Sequence, residues 1–163
     1  MKVKKGQLLQ LWYVFEGIKN QKQNIKFSYF VAKNKLTIKD EIDLLNEAQE
    51  VPETFQLYDR KRADLAADMA DRVPSTGQPK TENGQYIIIE RKDEFDEELA
   101  KLKKQYAKVI EQRNKQIEAF KEILEEETEF EGHQIKLRDI PQAIEPSVLE
   151  ILLQTNLISE DEG

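Results

Sequence analysis

The chain has one histidine, His133, no cysteine, and two dense runs of carboxylates, and any bond-making chemistry would have to be built from these side chains. A serine–histidine–acid relay would run through His133. No serine or acid stands in a nucleophile-elbow context, however, and a lone histidine beside a turn reads as structural. Without cysteine, thiolate catalysis, disulfides, iron–sulfur clusters and cysteine-bound zinc are excluded. The first carboxylate run is Asp93, Glu94, Asp96, Glu97 and Glu98; the second is Glu122, Glu125, Glu126, Glu127, Glu129 and Glu131. Carboxylates in such number could hold a hard divalent cation, but these lack calcium-loop spacing and its glycine. They read as solvated helix faces, with Glu97 and Lys101 forming an i,i+4 pair. Six glycines are scattered singly, so no phosphate-cradling loop exists. The expectation is a protein that is not an enzyme and holds no cofactor and no metal.

Charge separates along the chain. Residues 1–39 carry nine lysines against the single acid Glu16, a balance of +8, and the remainder carries −15. Such separation could bring the N-terminal part to a phosphate backbone, and the interleaved lysines and aromatics of KFSYFVAKNK could serve as stacking platforms for single-stranded nucleic acid. No arginine precedes Arg60, though, and at helical spacing Phe27, Phe30 and Val31 turn inward with the lysines outward. Basic helices lying beside acidic ones are the favoured reading, and nucleic acid is not the expected partner. The opening MKVKKGQLLQLWYVFEGIKNQ has the charged start of a signal peptide, but Gln7, Gln10 and Glu16 interrupt its apolar stretch, so it reads as a folded helix. No window approaches eighteen uncharged apolar residues, so no membrane span is expected.

With 163 residues, 39% hydrophobic, 35% charged and a mean hydropathy of −0.71, the core must be thin and built from elements with one wet side. The predicted class is α+β, predominantly α. Apolar residues from Leu8 to Ile18 predict a helix over about 7–20, with Trp12 as a core anchor. A second helix carries Phe27, Phe30, Val31, Asn34, Leu36, Ile38, Ile42, Leu45 and Ala48, with a possible break at the β-branched Thr37 and Ile38. A third opens at Pro52 and buries Phe55, Leu57, Tyr58, Leu65, Ala66 and Met69. These three helices make an N-terminal unit, 1–73, and residues 74–84 a linker, poor in anything that packs, ending in the Asn83-Gly84 turn signal. Residues 85–158 hold the strand candidate Gln85–Glu90, one long helix from Asp93 to about Glu127, a hairpin around Glu131-Gly132 and a closing helix from Pro146. A short hairpin is expected around Asn83-Gly84 with Lys80–Glu82 as its partner strand; because that partner is thin, Tyr86–Ile89 could instead pair with the later hairpin in a small antiparallel sheet, and 159–163 form a mobile acidic tail.

The long helix places Leu99, Leu102, Tyr106, Val109, Ile117 and Phe120 at four-three spacings, a seam that fits against another helix in cis or in a second subunit, with Arg113 on the seam arguing against a long dry dimer.

The helix SYFVAKNKLTIKDEIDLLNEAQE, the turn-rich NGQYII, then DEFDEELAKL, EEETEFEGHQIKLRDIP and the closing PSVLEILL, taken in order from Lys2 to Ile158, resemble a group of small acidic proteins encoded by tailed bacteriophages and prophages. The helix from Asp93 to Glu127 is several turns longer here than in that pattern. The resemblance implies a phage-encoded protein without enzymatic activity, in the host cytoplasm or packaged in the virion. Together with the seam it gives the leading expectation: a virion structural or assembly component that binds virion proteins or itself. The alternatives are a small acidic inhibitor of a host or phage enzyme, using Glu125, Glu126 and Glu127, and a nucleic-acid binder using the lysine-rich first 39 residues.

Overall fold

The computed structural model describes residues 1–19 and 24–159. Along these the chain forms β1 (Lys2–Lys4), α1 (Lys5–Ile18), α2 (Ile25–Gln49), α3 (Glu53–Met69), β2 (Thr81–Glu82), β3 (Gln85–Tyr86), α4 (Lys92–Gln105), α5 (Ala107–Glu125), β4 (Glu127–Glu129), β5 (Ile135–Lys136), α6 (Pro146–Gln154) and β6 (Ile158–Ser159). The class is α+β and predominantly helical. Two of its small sheets, β1–β4 and β2–β3, are antiparallel, and β5–β6 is parallel.

Contacts divide the chain into two compact units, residues 1–49 with 118–163, and residues 50–117. These bounds differ from the expected breaks at 73 and 84, and the reason is which helix can fill a core. In the first unit α1 packs against both α2 and α6. Leu8, Leu11, Phe15 and Ile18 of α1 recur at three-four-three spacing and are all buried, and Phe27, Phe30, Ile38, Ile42 and Leu45 of α2 face them. The third helix of this core is α6, with Val148, Ile151 and Leu152 buried, and not α3, where Tyr58 and Met69 alone are buried. Each such apolar side chain taken from water contributes roughly 1.5–3 kcal/mol, so the helix with more of them per turn wins the place.

Local chemistry explains the boundaries. Asn24 Oδ1 accepts the Phe27 amide at 2.9 Å and caps the start of α2. Pro146 opens α6 where its missing N–H costs nothing. Thr37 and Ile38 do not break α2; the Thr37 hydroxyl donates to the Lys33 carbonyl at 3.1 Å within one continuous helix. Leu36, expected on the buried face, is 75% exposed, and Trp12 sits half-buried at the margin of the core instead of anchoring it.

Three expectations for the second half are corrected. The long helix is interrupted at Tyr106 into α4 and α5. No hairpin forms at Glu131-Gly132: β4 runs back to pair with β1, Lys2 opposite Glu129, and β5 pairs with β6. The hairpin expected around Asn83-Gly84 does form, with β2 as the partner strand and φ values of 49° and 76° that are the left-handed pair this turn requires, but of the expected strand only Gln85 and Tyr86 pair, and they join no later strand. Ser159, placed in the expected tail, belongs to β6; the rest of that tail and the expected helix end at Asn20 lie outside the described residues.

Lysines of the basic stretch 1–39 find carboxylates within the chain. Lys4 meets Glu125 at 2.6 Å, Lys5 meets Glu126 at 2.9 Å and Glu41 at 3.3 Å, Lys2 meets Glu127 at 3.7 Å and Lys26 meets Asp139 at 2.9 Å. Glu16 accepts from both Lys19 and Lys35, which together hold its carboxyl below the ordinary value of 4.5. A carboxylate held low adds stability that is complete above its unfolded pKa and is lost as the pH falls through the folded one. Glu16→Gln is therefore expected to lower the unfolding midpoint at neutral pH, with the gap to wild type closing as the medium is acidified below 4.5. A gap independent of pH, measured by thermal unfolding across that range, contradicts this role.

Candidate protein-binding surface on residues 50–117

The second unit packs α3 against α4, carries the first part of α5, and is closed at one end by residues 70–91, which are tied by backbone hydrogen bonds. Tyr58, early in α3, meets Tyr106 at the end of α4 with ring centroids 5.6 Å apart, and Ala66, late in α3, shares a groove with Phe95 at the start of α4. The two helices thus run antiparallel. The segment expected as a loose linker ties them together. Asp71 N donates to Ile87 O, Lys80 N to Asp71 O, and Ile87 N to Lys80 O, at 2.7–2.9 Å, while the Asp71 carboxylate accepts the amides of Ile89 and Glu90 at 3.1 Å each. Those bonds place Tyr86 and Ile88 beside the helices. The Arg91 guanidinium is forked onto Glu94 at 2.6 and 2.8 Å at the first turn of α4, and this pairing holds the Glu94 carboxyl below the usual carboxylate range.

Two helices can cover only one side of each other. Tyr58, Met69 and Ala70 are the buried apolar residues of this unit, and α4 and α5 contain no buried residue. Phe55, Leu65, Phe95, Leu99, Leu102, Tyr106 and Val109 are all half-exposed. Along one side the pair opens into a groove of about 480 Å³ whose apolar walls are Ala63, Ala66, Tyr86, Ile88, Phe95 and Leu99, with Arg62 and Gln85 at its edge. Tyr86 is 42% exposed there.

The seam residues expected to act together are divided. Leu99, Leu102, Tyr106, Val109 and Ile117 fall in this unit, whereas Phe120 packs against the core of the other. Within the unit α3 is the in-chain partner of α4. Arg113 stacks over Phe55, its guanidinium carbon 5.9 Å from the ring centroid, and donates to Gln116, which in turn donates to the Glu50 carbonyl at 2.9 Å. Lys61 covers Tyr106 at 5.4 Å. Ile117 remains 38% exposed. Tyr86 and Ile88 were not among the expected seam residues, because alternation marked them as a strand; the sign that they belong here is the run Tyr86–Ile89, too apolar for a two-residue strand at a surface.

The remaining chemistry-bearing residues are engaged structurally. The backbone of His133 is bonded on both sides to the Asn34 side chain, and its ring stands edge-on to Tyr29 at 5.7 Å. No group of three or more His, Asp or Glu side chains positioned to hold a metal ion occurs among the described residues, and no described helix is long and apolar enough to cross a membrane. Glu125, Glu126 and Glu127, the acidic face considered for an inhibitor, are the partners of Lys4, Lys5 and Lys2. Compared with protein-family models, curated proteins and solved structures, the chain matches none of them.

Proposed function

We propose that the protein is a non-catalytic protein–protein interaction component in which the groove of residues 50–117 receives an apolar segment of another polypeptide. The observation that carries this reading is the half-covered apolar lining of the α3–α4 pair, a helical hairpin with a single fully covered aromatic, Tyr58. A hairpin of this size buries too little surface to stand well by itself, and a segment laid along Ala66, Tyr86, Phe95 and Leu99 completes its core. The phage resemblance supplies the setting, virion or host cytoplasm, and the partner class, a virion protein or a second copy of the chain. The inhibitor and nucleic-acid readings lose ground because the acids and lysines they need are spent largely on each other.

Tyr86→Asp tests the proposal with little risk to folding, because the ring is already partly in water. Partner capture by the tagged protein, or its mass by light scattering if the partner is itself, is expected to fall about ten-fold or more, the size of effect that truncating an interface aromatic produces. Unchanged capture and mass would contradict it.

A further inference from the structure

A second surface, in the other unit, carries its own argument. On the outer side of α2, Ile25, Tyr29, Ala32 and Leu36 follow one another at spacings of four, three and four, and all four are exposed, Ile25 to 85%. Single exposed apolar residues are ordinary, but a row at heptad spacing is the pattern of a helix that packs on another. Next to Ala32 and Leu36 the surface dips into a groove of about 490 Å³ between α1 and α2, floored by Trp12, Ile18 and Val31. Trp12, the only tryptophan in the chain, lies there half-buried with the Lys35 ammonium 4.7 Å from its ring centroid. Lys19, Lys35 and Lys39 rim the groove, and Lys33 flanks the row from the side of Tyr29, 5.7 Å from that ring. Residues 25–39 contain four lysines and no acid.

We propose that the α1–α2 groove seats an acidic amphipathic helix of a partner protein. Large aliphatic side chains of that helix, recurring at i, i+3 or i+4 and i+7, lie over Trp12, Ala32 and Leu36, and glutamates or aspartates on its two shoulders meet Lys33 on one side and Lys35 and Lys39 on the other. From Ile25 to Leu36 the row is about 16 Å long at 1.5 Å per residue, three turns, which matches a short helix docked in parallel or antiparallel register. Lys39 pairs with Asp43 in an exposed i,i+4 pair that exchanges partners at little cost, and Lys35 stays bonded to Glu16 while its ammonium has further N–H donors for an acid of the partner. Two copies of this face brought together would oppose lysine to lysine, so self-pairing through it is disfavoured. A nucleic acid would satisfy the lysines but leave Ile25 and Leu36 in water, whereas an acidic amphipathic helix covers both.

The test is selection from a displayed library of helical peptides, randomised on every face, against the full-length protein, with Trp12 emission as a direct report of groove occupancy. Enriched peptides are expected to carry aliphatic residues in one stripe flanked by acids, to shift Trp12 emission, and to lose about ten-fold or more in affinity on Leu36→Glu, a surface change whose folding is checked by circular dichroism. Selection repeated on the Lys33→Glu/Lys39→Glu variant is expected to return basic shoulders instead. Peptides without acidic bias, peptides indifferent to Leu36→Glu, or no enrichment at all would overturn the proposal. So would oligodeoxythymidine or anionic vesicles moving Trp12 emission where no peptide does.

Discussion

Gly132→Ala is expected to destabilise residues 1–49 and 118–163, with the added methyl meeting closer contacts than at any other described glycine. A Cβ at this position runs into Leu157 Cδ2 and lies 2.7 and 2.9 Å from Cζ and Cε1 of the Phe130 ring. Neither neighbour has room to retreat: Leu157 is 0% exposed and Phe130 is buried beside it in the core. Overpacking of this kind costs about 1–3 kcal/mol and forces neighbours off their rotamers. The comparison is Gly17→Ala inside α1, where a Cβ meets nothing within 4 Å. There, in the last turn of α1, alanine is expected to be tolerated or slightly stabilising, because glycine is a poor helix former. Urea unfolding followed by Trp12 fluorescence reads both, and equal midpoints for the two variants would show that the segment over Leu157 is not packed as described.

Asn34→Leu is expected to be the second severe change. Asn34 is fully buried in α2, and its side chain binds a distant segment: Nδ2 donates to the His133 carbonyl at 2.8 Å and to Phe30 O at 3.0 Å, and Oδ1 accepts the His133 amide at 2.9 Å. Leucine keeps the branched shape at Cγ, though with bulkier methyl groups, and leaves both His133 groups without their partner, at about 1–3 kcal/mol for each unsatisfied group. Asn34→Asp separates the hydrogen bonds from the packing. It keeps the acceptor, loses the donor and buries a charge, so its carboxyl titrates high and the variant recovers part of its stability as the pH is lowered. A leucine variant as stable as wild type would mean that the His133 backbone does not depend on α2.

Local signals in the sequence were readable where a single residue type decides. Asn83-Gly84 marks its turn because few residues accept two positive φ values in succession, and Pro146 marks the first turn of α6. Asn34 could be placed on the inner face of α2 from spacing, but nothing local names a backbone segment ninety-nine residues away as its partner. The same holds for β1 and β4, three residues each, whose alternating lysines and glutamates acquire meaning only once paired. The charge separation between residues 1–39 and the acidic remainder resolves into internal matching at Lys4 and Lys5, since two neighbouring lysines facing neighbouring glutamates leave little net field.

Of the candidate surface, Leu99 was legible from the four-three period, but its groove was not. The period says that Leu99, Tyr106 and Phe120 share one side of a helix, and it cannot say that the helix is interrupted at Tyr106, where no glycine or proline stands, or that Phe120 belongs to a different core. Tyr86 and Ile88 enter the groove through the bonds that Asp71 makes to residues 87–90, a tertiary arrangement with no period of its own. That α6 and not α3 supplies the third helix of the first core has a physical reason in the sequence itself. Val148, Ile151, Leu152 and Leu157 offer a denser apolar face than the charged α3.

The central claim, that another polypeptide lies in the groove of residues 50–117, is tested most directly by placing a photoreactive benzophenone side chain at position 86 and irradiating cells that make the protein natively. One dominant crosslinked polypeptide, identified by mass spectrometry and lost when Leu99→Asp is combined with the probe, is the result the account predicts. The same probe at Arg60, an exposed position of α3 outside the groove lining, serves as the reference. A diffuse pattern shared by positions 86 and 60, or no crosslink at 86, would contradict it.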